Sequence, residues 1–551
     1  MKTARLKMGV CVILGLCLLG ATASGAMAVS YPVFAFNDLG MHCMEPDYST
    51  LVILPPFNVV HAQVLSKGAK PTLLDNSKAK VIYSAIADPT GSINTTSKGK
   101  TNFWQYVAKL FGVSLPVDVG LLGAKMPNAT FGPQPLTFDN STNNHWFTAA
   151  GIPITPWDDN HKFNPYPLMN IQAFTPGGTL LSSLSTVLPI STEQHCEVCH
   201  ATGMDAASPG FHGVQNWSQN PNKVLQYKEN ILILHDALIG TRLYDATPPP
   251  NRKPAFCFTC HYSYALDVAK TGPNSTQLGN QFLSPAMHRH HGKAPAINNI
   301  IPIPDDGAST CYYCHPGKNT KCLRGVMAGA GLVCQDCHGG LLAVAGATPL
   351  ANDGFRRPWI DLPKCQSCHR GDALKGMANG TPRRLVYDPA DPAATPRTAA
   401  NKRFAEENRK LFRFSRGHGM ACEACHGSPH AEWPVRPAAG NDNLAARQIQ
   451  GHPGPIIECQ VCHGDALFPS LGGPHGLHNV GDSLWIARHN LFYASQPDQC
   501  QACHGLNLEG TRLSRAAAFR NLTSAMQNPV AIKRGTPISC SMCHQNPLTK
   551  F

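Results

Sequence analysis

Beyond its first 28 residues the chain has no long, uniformly apolar run, and a membrane-spanning helix needs about 20 consecutive apolar residues. The remainder is therefore expected to be soluble, and any membrane association to come through a partner. Cysteine is nearly missing from the first third: Cys43 is the single one between residues 29 and 189. A disulfide involving that stretch must reach outside it. Acidic residues are in deficit, 34 Asp and Glu against 46 Lys and Arg, for a formal net charge of +12. Such an excess points first to nucleic acid or anionic lipid, a partner class that the rest of the sequence removes.

What the chain does have is one pentapeptide, Cys-x-x-Cys-His, in nine copies. The first five are Cys196, Cys199 and His200; Cys257, Cys260 and His261; Cys311, Cys314 and His315; Cys334, Cys337 and His338; and Cys365, Cys368 and His369. The other four are Cys422, Cys425 and His426; Cys459, Cys462 and His463; Cys500, Cys503 and His504; and Cys540, Cys543 and His544. Together they use 18 of the 22 cysteines. A Cys-x-x-Cys pair serves as half a zinc site, as a redox dithiol, or as a c-type haem attachment. The abutting histidine separates these uses. In attachment the thiols add across two vinyl groups, and the next residue becomes the proximal iron ligand. Zinc ribbons have no use for a histidine after every pair, and a thioredoxin-like dithiol appears once, after a strand. Nine covalently bound c-type haems are expected.

The N-terminus agrees, because such attachment belongs outside the cytoplasm. Lys2, Arg5 and Lys7 precede the apolar "MGVCVILGLCLLG", and Ala26-Met27-Ala28 is a small-residue cleavage site. Residues 1–28 are read as a signal peptide, with the mature chain starting at Val29. Lipidation at Cys17 ranks behind, since Leu16 precedes it. Loss of the leader lowers the charge from +12 to +9. The propionates of nine haems then bring the holoprotein to between about zero (oxidised) and about −9 (reduced). The basic excess thus compensates propionates, and nucleic acid is not expected as a partner.

Two regions follow. Residues 29–190 read as a β-rich non-haem domain: "YPVFAF", "TLVILPPFNVVHAQVL", "AKVIYSAIA" and "GIPITP" are short apolar runs bounded by Gly, Pro and Asn. Within it "KTNFWQYVAKLFG" has helical spacing of Phe103, Trp104, Val107 and Phe111 and stops at a glycine. Residues 191–551 read as a nonahaem cytochrome c region of short helices and loops packed around stacked haems.

The distal face of each iron is addressed by counting. Of 25 histidines, nine belong to motifs and four (His42, His61, His145, His161) precede the motif region. The candidates are His212 and His235 for the first two motifs, His288, His291, His418 and His430 for the next four, and His475, His478 and His489 for the last three. No spare histidine lies between His291 and His418, so the motifs at Cys334 and Cys365 must draw ligands from distant sequence. His288 with His291, and His475 with His478, are i, i+3 pairs on one face of a helical turn, and each pair is expected to serve two neighbouring irons. His195, His290 and His452 are reserves. Met287, Met327 and Met420 are alternative axial ligands, with core filling as the competing use.

"NILILHD" before CFTCH, "LSPAMHRHH", "CEACHGSPHAEWP" and "GGPHGLHNVG" followed by "WIARH" resemble segments of large multihaem c-type cytochromes from the cell surface and periplasm of metal-reducing bacteria. "NDLGMHCM" and "KTNFWQY" are similar to the non-haem domain that some of them carry. The resemblance implies electron transfer toward periplasmic or extracellular acceptors such as ferric minerals, or toward redox partner proteins. It also implies distal ligation by His235, His288, His291, His418, His430, His475, His478 and His489. His212 rests on the count alone.

Cys43 and Cys322 remain outside the motifs. They are read as a disulfide tying the two regions together, against a soft-ligand copper site made of His42, Cys43 and Met41 or Met44. Asp158 and Asp159 are a calcium candidate, against an ordinary acidic turn. Two functions stay open: an electron carrier with every iron six-coordinate, or a multihaem reductase of the nitrite, hydroxylamine or tetrathionate type with one open iron. All nine motifs end in histidine and none carries a variant lysine, which favours the carrier. Self-assembly into a filament is compatible with it.

Overall fold

The apolar runs of the N-terminal third fold as strands. In this computed structural model, which describes residues 31–298, 308–355, 419–463 and 483–544 with short breaks inside those ranges, two antiparallel sheets face each other. One has the order β1 (Val33–Phe36), β4 (Asn58–Ser66), β9 (Trp146–Ile152), β8 (Thr137–Asp139), with β5 (Thr72–Leu73) added to β4. The other runs β11 (Leu180–Val187), β10 (Leu168–Phe174), β6 (Lys80–Ala85), β7 (Gln134–Pro135). The leader, the whole motif of Cys365, Cys368 and His369, the motif residue Cys459 and the candidates His418, His475 and His478 lie outside the described residues, as does the side chain of Cys503.

Successive strand residues point to opposite faces, and the pairing register sorts them. Val33, Ala35, Ala62, Val64 and Phe147 turn inward to meet Val81, Tyr83, Met169, Ile171 and Ala173 of the second sheet. The expected helix is present as α1 (Phe103–Phe111). It adds Phe103, Tyr106, Val107 and Leu110 to this core and ends where Gly112 takes a left-handed φ of 68°.

The other face of the first sheet is not left to water. Phe34, Phe36, Leu65 and Trp146 are covered by Met420, Ala421, Ala424 and Val461 from the motif region, and Ala445 and Ala446 enter the sandwich core itself. Two short parallel pairings bring the later chain back as well: β2 (His42–Cys43) with β12 (Ile190–Ser191), and β3 (Leu51–Val52) with β13 (Ala255–Phe256). Position 190 thus marks a change in composition, while packing runs across it.

From there on the elements are short: α2 (Glu197–His200), α3 (Lys223–Ile239), α4 (Ser275–Leu278), α5 (Leu283–Asn298), then mostly helices of one or two turns. α3 is capped by the Asn222 side chain, which accepts from the Val224 and Leu225 N–H groups, and it stops at left-handed Gly240. Its inward face is polar. Lys228 reaches Glu45 at 2.5 Å with both side chains 1% exposed, and Glu229 meets Arg252 at 2.7 Å. Lys228 also donates to the carbonyls of Asp47 and Leu51, at 2.7 and 2.9 Å. Buried charges survive only when paired and hydrogen-bonded in this way, so α3 is locked to the sandwich. Among the described residues no helix is long and apolar enough to cross a membrane.

Candidate haem attachment and ligation sites

Each described motif is a helical turn. The N–H of His200 donates to the Cys196 carbonyl, His261 to Cys257, His315 to Cys311 and His544 to Cys540, each at 2.9 Å. The second cysteine tightens the same turn: Cys199 donates to the Cys196 carbonyl at 3.3 Å, and Cys260 to Cys257 and Cys543 to Cys540 at 3.2 Å. Residues at i, i+3 and i+4 share one face of such a turn, so both thiols and the histidine point the same way. Burial pushes the Cys257 and Cys425 thiols up to about 12 and Cys314 up to about 11. Thiols in such surroundings are poor thiolates. Cys334 differs: a hydrogen bond with the Cys311 thiol holds it below its usual value.

Four motif histidines face a second histidine. Ring centroids are 6.4 Å apart for His200 and His291, 6.5 Å for His261 and His235, 6.1 Å for His315 and His288, and 5.6 Å for His544 and His489. In the last pair the two Nε2 atoms point at each other across 3.4 Å. Two imidazoles on opposite sides of one metal, each nitrogen about 2 Å from it, have centroids about 6 Å apart. The centroid spacing fits an iron between each pair, while the Nε2 atoms of His489 and His544 stand somewhat closer than the about 4 Å that two such bonds span.

A second imidazole is thus described for those four motifs. Cys337 and His338 are half-buried in the helix Cys334–His338, while the helix Cys422–His426 keeps Cys422 half-buried and turns His426 outward. Cys462 packs against the outer face of the first sheet, its carbonyl accepts from the Gly68 N–H at 3.2 Å, and His463 beside it is buried. Cys500 and His504 share the helix Pro497–His504. For His338, His426 and His463 the geometry described is that of the attachment turn. His418, His475 and His478, the spare histidines assigned to that stretch, lie outside the described residues together with Cys368 and His369.

The hydrogen bonds of the rings fit a metal too. Nδ1–H of His261 donates to the Gln281 carbonyl at 2.7 Å, that of His291 to Met287 at 2.7 Å, and that of His288 to Ser284 at 2.9 Å. His504 does the same to Ile538 at 2.8 Å. His235 donates to the Thr241 hydroxyl at 2.9 Å, whose own proton goes to Asp236 at 2.6 Å. A ring whose Nδ1 carries the proton leaves the Nε2 lone pair for a metal. Burial lowers His200 to about 3 and His430 to about 4, which keeps them neutral as ligation requires. The buried Nδ1 of His200 has no hydrogen-bond partner among the described residues.

Proximity along the chain assigned His212 to the first two motifs. In the structure His212 is exposed, with φ at 50° and its ring against Phe211, and His200 faces His291 instead. The reason is a fold-back: the His195 N–H donates to the Tyr313 carbonyl at 3.0 Å, which sets the first and third motifs side by side. One helix, α5, then reaches both, with His291 toward His200 and His288 toward His315. The signal in the sequence was the i, i+3 spacing, while the partners depend on long-range packing. α3 contributes from below, as Asn230 donates to the His200 carbonyl at 2.8 Å.

Cys43 and Cys322 are both free thiols and close enough that Cys43 helps to raise Cys322. His42 and Cys43 are neighbours on β2 and so face opposite ways, which does not suit a shared copper ion. His42 is paired with Asp38 at 3.4 Å. Asp158 accepts from the backbone N–H groups of Asn160 and Lys162, and Asp159 holds Lys100 at 2.7 Å, so this is a structural turn. No family model matches the chain, and no curated protein and no solved structure matches it.

Proposed function

We propose that this chain is an exported electron carrier that holds nine c-type haems, most or all of them between two histidines, and passes electrons toward periplasmic or extracellular acceptors. The observation that carries it is the conjunction of nine Cys-x-x-Cys-His motifs with four motif histidines each facing a second imidazole at 5.6–6.5 Å. When bound, haem supplies a one-electron iron couple. The chain's own residues do the rest. Paired thiols anchor each ring, Nδ1 hydrogen bonds orient each imidazole, and a second histidine denies substrate a place on the metal. His195 to Tyr313 joins the first and third motifs, the Cys311 and Cys334 thiols join the third and fourth, and the Ile456 N–H to the Cys425 carbonyl at 2.8 Å ties the sixth to the approach of the seventh. Neighbouring centres in contact suit transfer along an array rather than reaction at one centre.

The test is spectroscopic. Intact mass of the extracted protein should correspond to nine attached haems, and the reduced protein should bind negligible carbon monoxide. Stoichiometric carbon monoxide binding with a high-spin ferric signal beforehand would favour the reductase.

A further inference from the structure

The loop that leads into β2 grips one histidine of the motif region, His430. Gly40 has φ +86°, and a β-carbon built there would overlap the His430 carbonyl and stand 3.0 Å from its Nδ1. Asn37 shapes the turn: its Oδ1 accepts from the N–H groups of Leu39 and Gly40, at 2.9 and 2.7 Å, and its carbonyl accepts from the Ser428 hydroxyl. Cys322 closes the third side. Its carbonyl accepts from the Ala431 N–H at 2.7 Å, its thiol lies 3.9 Å from His430 Nδ1, and the Met41 backbone hydrogen-bonds that thiol. Ala431 has φ 58°, a left-handed conformation that a non-glycine residue keeps only where its surroundings hold it. Three segments far apart in sequence thus converge on a single imidazole.

We propose that Gly40 and Cys322 are positioning residues that seat His430 as an axial haem ligand, Gly40 by letting the loop approach its backbone and Cys322 by engaging Nδ1 so that Nε2 is the metal-binding nitrogen. The proposal rests on the function proposed above. It gives the N-terminal domain a direct part in haem ligation. It also sets His430 apart from His261, His288 and His291, whose Nδ1 protons go to carbonyls at 2.7–2.9 Å. A thiol is a weaker partner than a carbonyl, and hydrogen bonding to a ligand histidine tunes the metal.

Four single variants of the nine-haem protein test it by electron paramagnetic resonance and redox titration. His430→Ala should convert one haem in nine to high spin. Gly40→Ala should alter that same haem and no other, with all haems still attached by mass. Cys322→Ala should shift the midpoint potential and the low-spin g-values of the same haem, and Cys322→Ser, which keeps a hydrogen-bonding group, should restore part of the shift. If His430→Ala leaves every haem low spin, the seat and the ligand role of His430 both fall, while the mass still reports the haem count independently. If His430→Ala acts but Gly40→Ala and Cys322→Ala leave spectrum and potentials unchanged, the seat alone is overturned. Should Gly40→Ala give no folded protein, the Cys322 pair decides.

Discussion

Phe147 and His200 are both enclosed by protein, yet what encloses them differs in kind. Around Phe147 stand aliphatic and aromatic side chains from two sheets, and strand pairing uses the backbone polar groups of its neighbours. Around His200 stand another imidazole, the raised thiol of Cys199 and a ring nitrogen with no partner among the described residues. The sandwich completes its interior with apolar side chains, nearly all its own, with Ala445 and Ala446 added from the later chain. The motif region brings polar, metal-seeking groups together at spacings that make sense with something between them. Enclosure therefore does not mean self-sufficiency: the first region should fold largely from sequence alone, the second only with the haems proposed for it.

The largest effect should come from removing them. Protein made without haem attachment should lose protease protection throughout the described parts of residues 196–544, while cleavage within residues 33–187 stays slow, as read by mass spectrometry of limited digests. Uniform protection in both regions would erase the distinction. Next, Lys228→Met strands the buried Glu45 carboxylate at the seam between the regions and should cost about 3–5 kcal/mol in denaturant unfolding. The double variant Lys228→Met with Glu45→Gln should recover most of that loss. A smaller, local change is expected from the α5 histidines: His288→Ala and His291→Ala should each convert one haem to high spin, and not the same one, because the two side chains face different motifs. Identical spectra would refute the pairing.

The smallest effect is a pH dependence. Glu193 accepts from the N–H groups of Asn319 and Thr320 at 2.7 and 2.8 Å, and although burial opposes it, these bonds hold its carboxyl at about 2 against an ordinary value of 4.5. A depressed carboxyl stabilises the fold above its unfolded value and loses that contribution as pH falls through the folded one. The stability gap between the native protein and Glu193→Gln should therefore be full at about pH 7, narrow below about 4.5 and close near about 2.

Much of the sandwich could be read from sequence because its elements are local. The run "YPVFAF" that forms β1 and the glycine after α1 announce themselves. Less legible was why Phe34 and Phe36 are apolar on the face opposite the core, since the answer, Met420 and Ala424, lies far along the chain. The motifs were legible for a chemical reason, since spacing alone brings two thiols and an imidazole onto one turn. Their partners were not. His291 is closer in sequence to His315 than to His200, and the single hydrogen bond from His195 to Tyr313 shows why position along the chain misleads. Gly40 gave no sign at all, because a glycine that admits a distant backbone looks like any loop glycine.

The order in which these histidines emerge during synthesis gives the facing pairs a direction in time. His235, His288 and His489 each precede the motif histidine they face, so an imidazole is already waiting when those motifs appear. Among these four pairs His200 alone comes first and must wait for His291. A chain that folds from its N-terminus therefore carries its first motif half-complete until α5 arrives, and that one helix then closes the first site while presenting His288 to a motif still to come. Delayed or mistimed arrival of α5 would leave the first centre as the exposed, reactive one.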